Sequence, residues 1–416
     1  MTIGKWVKAI LLWVIYLPIV GTTYAVVWLD RMFRFKLSFP RDAKEISERQ
    51  EWCIAELKAG GALPTESVVN SYSVEPLDAK LIFRSEACVI DIDYTINGEA
   101  KHLRCFGKFA PTMGTVWNKT TFNLQLNHIK EINFNNLFVR ADADLPAPKV
   151  YVAKLGTVTG HLCLITEFMT DCVEHKDSIY KDFTEEHLQQ AVNGLATLHA
   201  RYWLNDEPRM KQVLPIEDST VLLFETLIAG SWSKDAQLLM RESWKYCNRF
   251  QTVVHGDARI GNMMFARDKE HGRFVLFDWQ AVRKGVGVYD LAYFLILSLA
   301  AEHREKVEEQ CLREYHFALQ SLGVTNYSWQ QLLDDYNHAS ICVLTLLSLP
   351  LLSGEASAEG EAEQVFKWGM GIWRDRLKHK FESFDYAWMQ QQYGLPEAHG
   401  RAATIEMVEV ITKRIA

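Results

Sequence analysis

The Asn97-Gly98 dipeptide and the residues on either side of it predict a β-hairpin. In the preceding segment, EACVIDIDYTI, apolar and polar residues alternate, which is typical of a strand with one buried face. The apolar face would carry Ile90, Ile92, Tyr94 and Ile96. Asn-Gly favours the positive φ angles of a two-residue hairpin turn, and the return strand reads HLRCFGKFA. An antiparallel sheet is therefore predicted in the first half of the chain.

Helical patterns surround this predicted sheet and dominate the second half of the chain. Leu126, Ile129, Ile132 and Leu137 recur near helical spacing after the hairpin, so a helix carrying Glu131 is predicted there. Residues 40–58 also predict an amphipathic helix, and residues 147–169 a second strand pair that turns between Gly156 and Gly160. Beyond this pair, residues 221–250 and 289–384 predict long helices. The fold class predicted is α+β, with a small antiparallel sheet lobe containing one helix, then a large, mainly helical lobe.

Four segments are predicted along the chain. A hydrophobic N-terminal helix occupies residues 1–36, and the small lobe occupies residues 37–169. The large helical lobe, with the candidate catalytic loop, covers residues 170–395, and a C-terminal tail covers residues 396–416.

The N-terminal segment predicts association with a membrane. From Ala9 to Leu29 the chain has twenty-one residues without a charge, enough for a helix to cross a hydrocarbon core of about 30 Å. More basic residues follow this run than precede it, which favours a cytoplasmic location for the rest of the chain. We expect residues 9–29 to anchor the protein at the cytoplasmic face of a membrane. The alternative is a hydrophobic helix that lies in the membrane interface or packs on the protein's own surface.

The composition excludes one class of partner and favours one kind of compartment. The net charge is −7, the pI is about 6.0 and there is no basic run, so a nucleic-acid partner is not expected. The eight cysteines form no CxxC pair, so the sequence implies neither a zinc site nor a disulfide framework. A reducing compartment is the simpler interpretation.

The segment VVHGDARIGNMMF, residues 253–265, places polar groups between apolar ends. It contains Asp257 and Asn262, and Asp278 follows within LFDWQ. Buried acids without partners or a metal are costly, and carboxylate and amide oxygens suit Mg²⁺. Phosphoryl transfer needs a metal ion and an acceptor for the proton of the attacking hydroxyl. Asp257 could accept that proton, and Asn262 and Asp278 could hold Mg²⁺.

A candidate cation for nucleotide phosphates lies on the return strand of the hairpin. Lys108 could hold phosphate, and Glu131 on the following helix could pair with the lysine and fix its direction. The alternative is a solvated lysine at the edge of an alternating strand.

Other polar residues near these motifs have structural interpretations. His255 is predicted as a buried hydrogen-bonding scaffold, and His199, on an apolar helical stripe, as a core histidine with satisfied hydrogen bonds. Asp290 is predicted as a helix cap or as a tether for the catalytic loop. Arg259 could contact substrate or line the loop, and the sequence favours neither.

The two motifs carry a resemblance to a known group of enzymes. HGDARIGNMMF and LFDWQ resemble the HGDxxxxN and Asp-bearing metal motifs of the aminoglycoside phosphotransferase and choline kinase-like superfamily. The Trp-Gln pair and LATLHARYW look most like its ecdysteroid kinase-like branch. The resemblance covers roughly residues 60–390 and leaves the N-terminal segment outside. It implies a two-lobed, protein-kinase-like fold that uses ATP and Mg²⁺.

Matched to the motifs of this superfamily, the candidate residues take specific roles. Asp257 matches the catalytic base, and Asn262 and Asp278 match the magnesium ligands. Lys108 and Glu131 match the ion pair of the small lobe.

The same resemblance implies where adenine would bind. The strand that leads into the hinge matches residues 166–169, where main-chain groups would contact adenine. Glu167 and Met169 are the candidate residues there.

The implied activity is transfer of the ATP γ-phosphoryl group to a hydroxyl of a small molecule. Only eleven residues separate Asp278 from Asp290, and no Ala-Pro-Glu follows. This spacing is too short for the regulatory loop of protein kinases. The aromatic C-terminal region, with Trp329, Trp368, Trp373 and Trp388, and the apolar N-terminus suggest a sterol- or lipid-like alcohol as acceptor, although ordinary helical core is an alternative use of these tryptophans.

Two alternative functions remain open on the same fold. No glycine occurs between Tyr72 and Ile96, where a loop covering the phosphates is expected, and glycine lets main-chain amides approach phosphate closely. Arg84, Ser85 and Glu86 would have to serve instead. A catalytically inactive binding protein is therefore one alternative, and nucleotidyl transfer is the other. The sequence does not indicate the oligomeric state.

Overall fold

The computed structural model describes most of the chain in two compact units, Met1–Thr170 and Asp171–Ala416. The described residues are 18, 21–30, 32–34, 37–77, 86–110, 127–156, 159–175, 183–212, 232–268, 272–348 and 361–415. Within them, the first unit contains a five-stranded sheet and the second is mainly helical. The predicted α+β class is confirmed.

An antiparallel sheet forms the centre of the first unit. Its strands in chain order are β1 (Val68–Pro76), β2 (Glu86–Ile96), β3 (Glu99–Phe109), β4 (Val150–Gly156) and β5 (His161–Glu167). They are arranged in the order β1-β2-β3-β5-β4. Asn97 and Gly98, with φ of 51° and 82°, turn β2 into β3, and Ile96 pairs with Glu99. The predicted Asn-Gly hairpin is confirmed, because both turn residues have the positive φ that the tight turn requires.

The core of the first unit lies between the sheet and two short helices. These helices are α1 (Ala43–Glu48) and α2 (Gln50–Ala59). Ile46 and Leu57 are fully buried against Ile90 and Ile92 of the sheet in one apolar cluster. The alternation of β2 is therefore explained by burial of one of its faces.

The prediction of a single helix over residues 40–58 is wrong, because this segment forms two helices. Arg49 has φ −111° and ψ 46°, outside the helical region, and it separates α1 from α2. Its guanidinium donates to the main-chain oxygens of Leu37 and Ser38. Because these contacts come from a segment that precedes the helices, the periodicity of the helices themselves does not reveal the break.

A third helix, α3, carries the predicted Glu131. It spans Asn127–Leu137 and packs against β4 and β5. Leu126, the first residue of the predicted apolar pattern, lies outside the described residues. So do residues 78–85 of the glycine-free segment.

Helices make up most of the second unit. In chain order they are α4 (Glu185–Arg201), α5 (Lys234–Cys247), α6 (Val288–Ser298), α7 (Ala301–Ser321), α8 (Trp329–Ser348), α9 (Glu361–Glu382), α10 (Tyr386–Tyr393) and α11 (Glu397–Ile415). All residues of α6 are buried, so this helix lies in the core of the unit. Residues 213–231 and 349–360, within regions predicted as helical, lie outside the described part.

Short strands complete the second unit and frame the candidate catalytic loop. They are β6 (Cys172–Glu174), β7 (Thr252–Val254), β8 (Met263–Ala266), β9 (Val275–Leu276) and β10 (Arg283–Gly285). β6, β8 and β9 form one antiparallel sheet, and β7 pairs with β10.

Within residues 396–416, predicted as a tail, the structure describes helix α11, which is packed into the second unit. Helix α11 contacts α5, α8 and α9. Met407 and Ile411 are fully buried, and Ala403 is 1% exposed. Because these three residues recur every four positions, they form one apolar stripe. The segment is part of the helical core rather than an appendage.

The predicted membrane anchor lies partly outside the described residues. Residues 21–30 are helical, whereas residues 9–17, 19 and 20 are not described. Among the helices that the structure does describe, none has both the length and the apolar character needed to cross a bilayer.

Candidate active site

The candidate catalytic loop runs from His255 to Asn262, between β7 and β8. At its start, Gly256 has a φ of +85°, and a Cβ atom there would lie 2.2 Å from the main-chain oxygen of Ala281. A side chain would therefore be excluded both by the backbone conformation and by the neighbouring carbonyl group. Glycine in the HGD motif thus allows the loop to pass close to the segment that follows Asp278.

A buried carboxylate on α6 holds the start of this loop. Asp290 is fully buried, and it accepts hydrogen bonds from the main-chain amides of His255 (2.6 Å) and Gly256 (2.9 Å). Nε2 of His199 lies 3.1 Å from the same carboxylate, and Nδ1 of His199 lies 2.7 Å from the hydroxyl of Tyr315. Of the two roles predicted for Asp290, the structure shows the tether, because the N-cap of α6 is Gly287.

The charge of Asp290 is stabilised by these partners. Burial acts to raise the pKa of Asp290, but the hydrogen bonds from His199 and from the main-chain amide of Gly256 outweigh burial and lower the pKa below its usual value. His199 itself is fully buried and has partners at both ring nitrogens, as predicted for a core histidine.

His255 also acts as a scaffold, as predicted. Its side chain is fully buried, and Nε2 lies 2.9 Å from the main-chain oxygen of Phe277. Its other ring nitrogen, Nδ1, accepts a hydrogen bond from the amide of Asp257 at 3.3 Å. The imidazole therefore connects the loop that carries Asp257 to the segment that leads to Asp278.

Asp257 and Asn262 are joined directly. Nδ2 of Asn262 donates to the main-chain oxygen of Asp257 (2.8 Å) and to Oδ2 of its carboxylate (2.9 Å). Asn262 is 2% exposed, whereas the Asp257 side chain is 20% exposed. Nε of Arg259 lies 3.5 Å from Oδ1 of Asp257. The amide nitrogen of Asn262 is thus used within the loop, and its oxygen is the group that could serve a cation.

The β8–β9 pair brings Asp278 beside Asn262. The amide of Phe277 donates to the main-chain oxygen of Asn262 at 3.1 Å, and Met263 pairs with Leu276. Asp278 has a φ of 66°, in the left-handed region, which non-glycine residues adopt mainly where the surroundings impose it. Nε2 of Gln280 donates to its Oδ2 at 3.1 Å. The structure therefore places Asp257, Asn262 and Asp278 in one region of the second unit, because Asn262 bonds Asp257 and also Phe277, the residue directly before Asp278.

This donor set suits a hard cation. The carboxylate of Asp278 and the amide oxygen of Asn262 match the oxygen ligands that Mg²⁺ takes together with water and phosphate. In the described part of the chain, no cluster of three or more His, Cys, Asp or Glu forms a metal site. A metal site built from protein ligands alone is therefore not indicated there, whereas a site completed by phosphate oxygens fits these residues.

Sequence reasoning missed three residues that support the loop. Gln280 contacts Asp278, and the hydroxyl of Ser298 accepts a hydrogen bond from the amide of Ile260 at 2.9 Å. Burial, followed by the charge of Asp257, raises the pKa of Tyr293 well above its usual value, so the phenol stays protonated near that carboxylate. For Tyr293 and Ser298, the available signal was that they are polar residues in the apolar helix YDLAYFLILS, because a buried helix rarely carries such residues without a partner.

The predicted ion pair of the first unit is present. Nζ of Lys108 lies 2.6 Å from Oε1 of Glu131, and their side chains are 11% and 1% exposed. Lys108 lies on β3, opposite Leu164 of β5. The alternative of a solvated lysine is therefore wrong, because the ammonium group is nearly buried and paired with a buried carboxylate.

The candidate adenine-binding residues lie at the end of β5. The amide of Glu167 donates to the main-chain oxygen of Lys149 at 2.9 Å, and its own oxygen accepts from the hydroxyl of Thr166 at 3.2 Å. Met169 lies two residues beyond the strand and is half-buried. Because both main-chain groups of Glu167 are already engaged, Met169 is the better placed of the two. Their roles toward a nucleotide stay predictions.

A family of known proteins matches the part of the chain that contains the candidate catalytic loop. A sequence model of the ecdysteroid kinase-like family matches residues 174–326, which include Asp257, Asn262 and Asp278. The predicted resemblance to this family is confirmed, over a narrower span than residues 60–390. No curated protein matches the chain.

Three solved structures resemble the chain at low sequence identity. A candidate aminoglycoside phosphotransferase from Ralstonia eutropha is 14% identical, with a TM-score of 0.47, and the match covers 86% of this chain and 98% of that one. An aminoglycoside 2′-phosphotransferase in complex with GDP is 13% identical, with a TM-score of 0.46, covering 79% and 97%. A microcompartment-associated aminopropanol kinase is 12% identical, with a TM-score of 0.36, covering 80% and 98%.

Proposed function

We propose that the protein is a small-molecule kinase that transfers the γ-phosphoryl group of ATP to a hydroxyl group, with Mg²⁺ as cofactor. The observation that carries the proposal is the hydrogen bonding of the candidate catalytic loop. Asn262 donates to Asp257, and the amide of Phe277, the residue directly before Asp278, donates to the main-chain oxygen of Asn262. The family match over residues 174–326 supports it.

Asp257 is the proposed catalytic base. The bond from Asn262 occupies Oδ2, which leaves Oδ1 to receive a substrate proton. In the proposed step, the acceptor oxygen bonds to the γ-phosphorus, the bond from that phosphorus to the β–γ bridging oxygen breaks, and ADP leaves. The hydroxyl proton passes to Asp257. Nε of Arg259 lies 3.5 Å from this Oδ1, longer than an ordinary hydrogen bond.

Asn262 and Asp278 are the proposed magnesium ligands. Asn262 would use its amide oxygen, because its amide nitrogen donates to Asp257. Gln280 holds Oδ2 of Asp278 at 3.1 Å and so orients this carboxylate. When bound, the metal would offset the negative charge of the nucleotide phosphates.

Lys108 is the proposed phosphate-binding residue of the first unit. Glu131 fixes the ammonium group at 2.6 Å from its carboxylate, so a phosphate would meet an oriented donor rather than a mobile side chain. The main chain of Met169 is the proposed contact for adenine. Both assignments rest on the positions of these residues and on the resemblance to the superfamily.

The acceptor is proposed to be a small, apolar alcohol of sterol-like or lipid-like character. Two aromatic side chains of α9 support this choice, because Trp368 is 52% exposed and Trp373 is half-buried. Trp388, in contrast, is 8% exposed and donates to Asp334, so it belongs to the helical core.

The experiment is a transfer assay with the purified full-length chain. ATP labelled on the γ-phosphate would be incubated with Mg²⁺ and a panel of sterols, fatty alcohols, sugars and amino alcohols, and the products identified by mass spectrometry. We expect a phosphate ester that forms with wild type and is lost with Asp257→Asn. An AMP adduct would indicate nucleotidyl transfer instead.

An inactive binding protein is the second candidate, favoured by the absence of glycine between Tyr72 and Ile96. Nucleotide binding without turnover, for every acceptor tested and equally in Asp257→Asn, would support it and refute the kinase. The two candidates are thus separated by turnover rather than by binding.

A further inference from the structure

A buried cation lies beside the candidate catalytic loop. Arg283, on β10, is 2% exposed and is paired along the strands with Val254 of β7, the residue before His255. A Cβ atom on Gly256 would lie 2.7 Å from Nη1 of Arg283. The guanidinium group therefore packs against the start of the loop.

One edge of this guanidinium group has no acceptor. Nε and Nη2 of Arg283 are buried, and neither has a hydrogen-bond partner within the described residues. These two nitrogens form the side of the guanidinium group on which two N–H bonds are nearly parallel, so a single acceptor can bind both. A buried charge without a partner is strongly unfavourable. The edge therefore indicates an acceptor that the described part of the chain does not supply.

The other buried arginines differ from Arg283 in this respect. Each of those that the structure describes contacts at least one acceptor of the chain. Arg41 contacts Asp30 and Glu45, Arg304 contacts the main-chain oxygen of Arg376 and Nδ1 of His379, and Arg376 contacts the main-chain oxygen of Leu297.

The groups around Arg283 are aromatic and add a further donor. The guanidinium carbon lies 4.1 Å from the ring centroid of Tyr289 and 5.7 Å from that of Trp244. The hydroxyl of Tyr289 is also buried, and the described chain offers it no hydrogen-bond partner. Burial raises the pKa of Tyr289, whereas the charge of Arg283 acts to lower it, so the hydroxyl lies within the field of the cation. This donor set suits an anion.

The nearest acid along the chain is already engaged. Asp290 follows Tyr289 directly, but its carboxylate accepts from the amides of His255 and Gly256 and contacts His199. A water molecule could accept from the free edge of Arg283, but it would leave the buried charge uncompensated. A halide ion supplies the charge, and as a single atom it needs less room than a carboxylate or a phosphate group.

We propose that a chloride ion binds at the Nε and Nη2 edge of Arg283, beside Tyr289, and stabilises the candidate catalytic loop. The ion neutralises a guanidinium group that packs against Gly256. It thereby supports the loop from β10, while Asp290 holds the same loop from α6. The proposal does not depend on the proposed kinase activity.

Crystallography with bromide is the first test. The full chain would be crystallised in sodium bromide, and anomalous differences would be measured at the bromine absorption edge. We expect an anomalous peak in contact with Nε and Nη2 of Arg283. A water molecule or a carboxylate of the chain at this edge, with no anomalous peak, would overturn the proposal. Because this test uses wild type, it does not depend on the folding of a variant.

Thermal unfolding in matched salts is the second test. The purified full chain would be unfolded at constant ionic strength while sodium chloride replaces sodium gluconate, whose anion is far larger than a halide. An ion that binds only the folded chain raises the unfolding temperature as its concentration increases. Arg283→Lys keeps the positive charge but loses the two parallel N–H bonds, so its dissociation constant for chloride should rise about tenfold or more.

The matched control is Arg304→Lys, at another arginine of the second unit that is 1% exposed. Nη2 of Arg304 already lies 3.2 Å from Nδ1 of His379. Arg304→Lys should lower the unfolding temperature but keep the chloride response of wild type. Equal chloride responses in wild type and Arg283→Lys would overturn the proposal.

Hydrogen exchange tests the effect on the loop. In wild type, the amides of His255 and Gly256 should exchange more slowly in chloride than in gluconate, whereas the amide of Ile90 in the first unit should exchange equally in both. In Arg283→Lys, the difference at the loop should disappear. Exchange of the loop amides that does not respond to chloride in wild type would refute the stabilisation of the loop.

Discussion

Replacing Asp290 by asparagine should release the candidate catalytic loop from α6. The carboxylate accepts from two main-chain amides and lies 3.1 Å from His199. Asparagine keeps one acceptor oxygen and directs an NH₂ group at a donor. One charge-assisted bond is then lost and one buried donor is left without an acceptor, which together cost about 3 kcal/mol of unfolding free energy. The change should therefore be visible in stability and in the loop.

The pH dependence of this loss follows from the direction of the pKa shift. The pKa of Asp290 is lowered below the usual 3.8, so the unfolded chain takes up the proton first as the pH falls. The stabilisation is fully present above about pH 4 and is lost as the pH falls through the lowered pKa. The difference between wild type and Asp290→Asn should be constant near neutral pH and shrink in acid.

Urea unfolding and native-state hydrogen exchange measure the two effects. The control is Asp335→Asn, because Asp335 is 1% exposed and accepts from the side chains of Arg249 and Tyr327 rather than from an amide of the loop. Both variants should lose stability, but only Asp290→Asn should speed exchange at the amides of His255 and Gly256. Equal exchange of these amides in the two variants would refute the tether.

Three further predictions concern single residues. Gly256→Ala should lower the free energy of unfolding in urea by several kcal/mol, because φ is +85° and a main-chain oxygen lies 2.2 Å from the new Cβ. A decrease of less than about 1 kcal/mol would refute the close approach of Gly256 to this oxygen. Lys108→Met should weaken ATP binding by calorimetry about tenfold or more, whereas Lys101→Met, on the same strand and 48% exposed, should not; equal affinities would remove Lys108 from the site. Burial lowers the pKa of His338 from 6.5 to about 3, so the free energy of unfolding should fall as the pH drops below 6.5. This group alone should contribute about 1.4 kcal/mol per pH unit. A His338→Gln variant in which the unfolding free energy depends on pH as steeply as in wild type would contradict this.

Local signals explain why much of the fold could be predicted from the sequence. The hairpin at Asn97-Gly98 depends on the turn residues and on the alternation beside them, and both are readable along the chain. The loop residues Asp257 and Asn262 were predictable for a different reason, since polar groups between apolar strands need partners.

Tertiary contacts explain what the sequence did not reveal. The break at Arg49 depends on carbonyl groups twelve and eleven residues away. Arg283 is 2% exposed, and its guanidinium lies 4.1 Å from the ring centroid of Tyr289 and 5.7 Å from that of Trp244. A buried cation over aromatic rings is stabilised by residues that are distant in sequence. The residue pattern of β10, the strand that carries Arg283, does not indicate this contact between a buried cation and aromatic rings.

The rate of γ-phosphoryl transfer in a single turnover tests the proposed role of the loop most directly. With the acceptor identified by screening, wild type and Asp257→Asn would be compared at saturating Mg²⁺-ATP. We expect Asp257→Asn to bind nucleotide as wild type does and to transfer phosphate about 10²- to 10⁴-fold more slowly, the usual effect of losing a general base. A transfer rate equal to that of wild type would contradict the proposed chemistry.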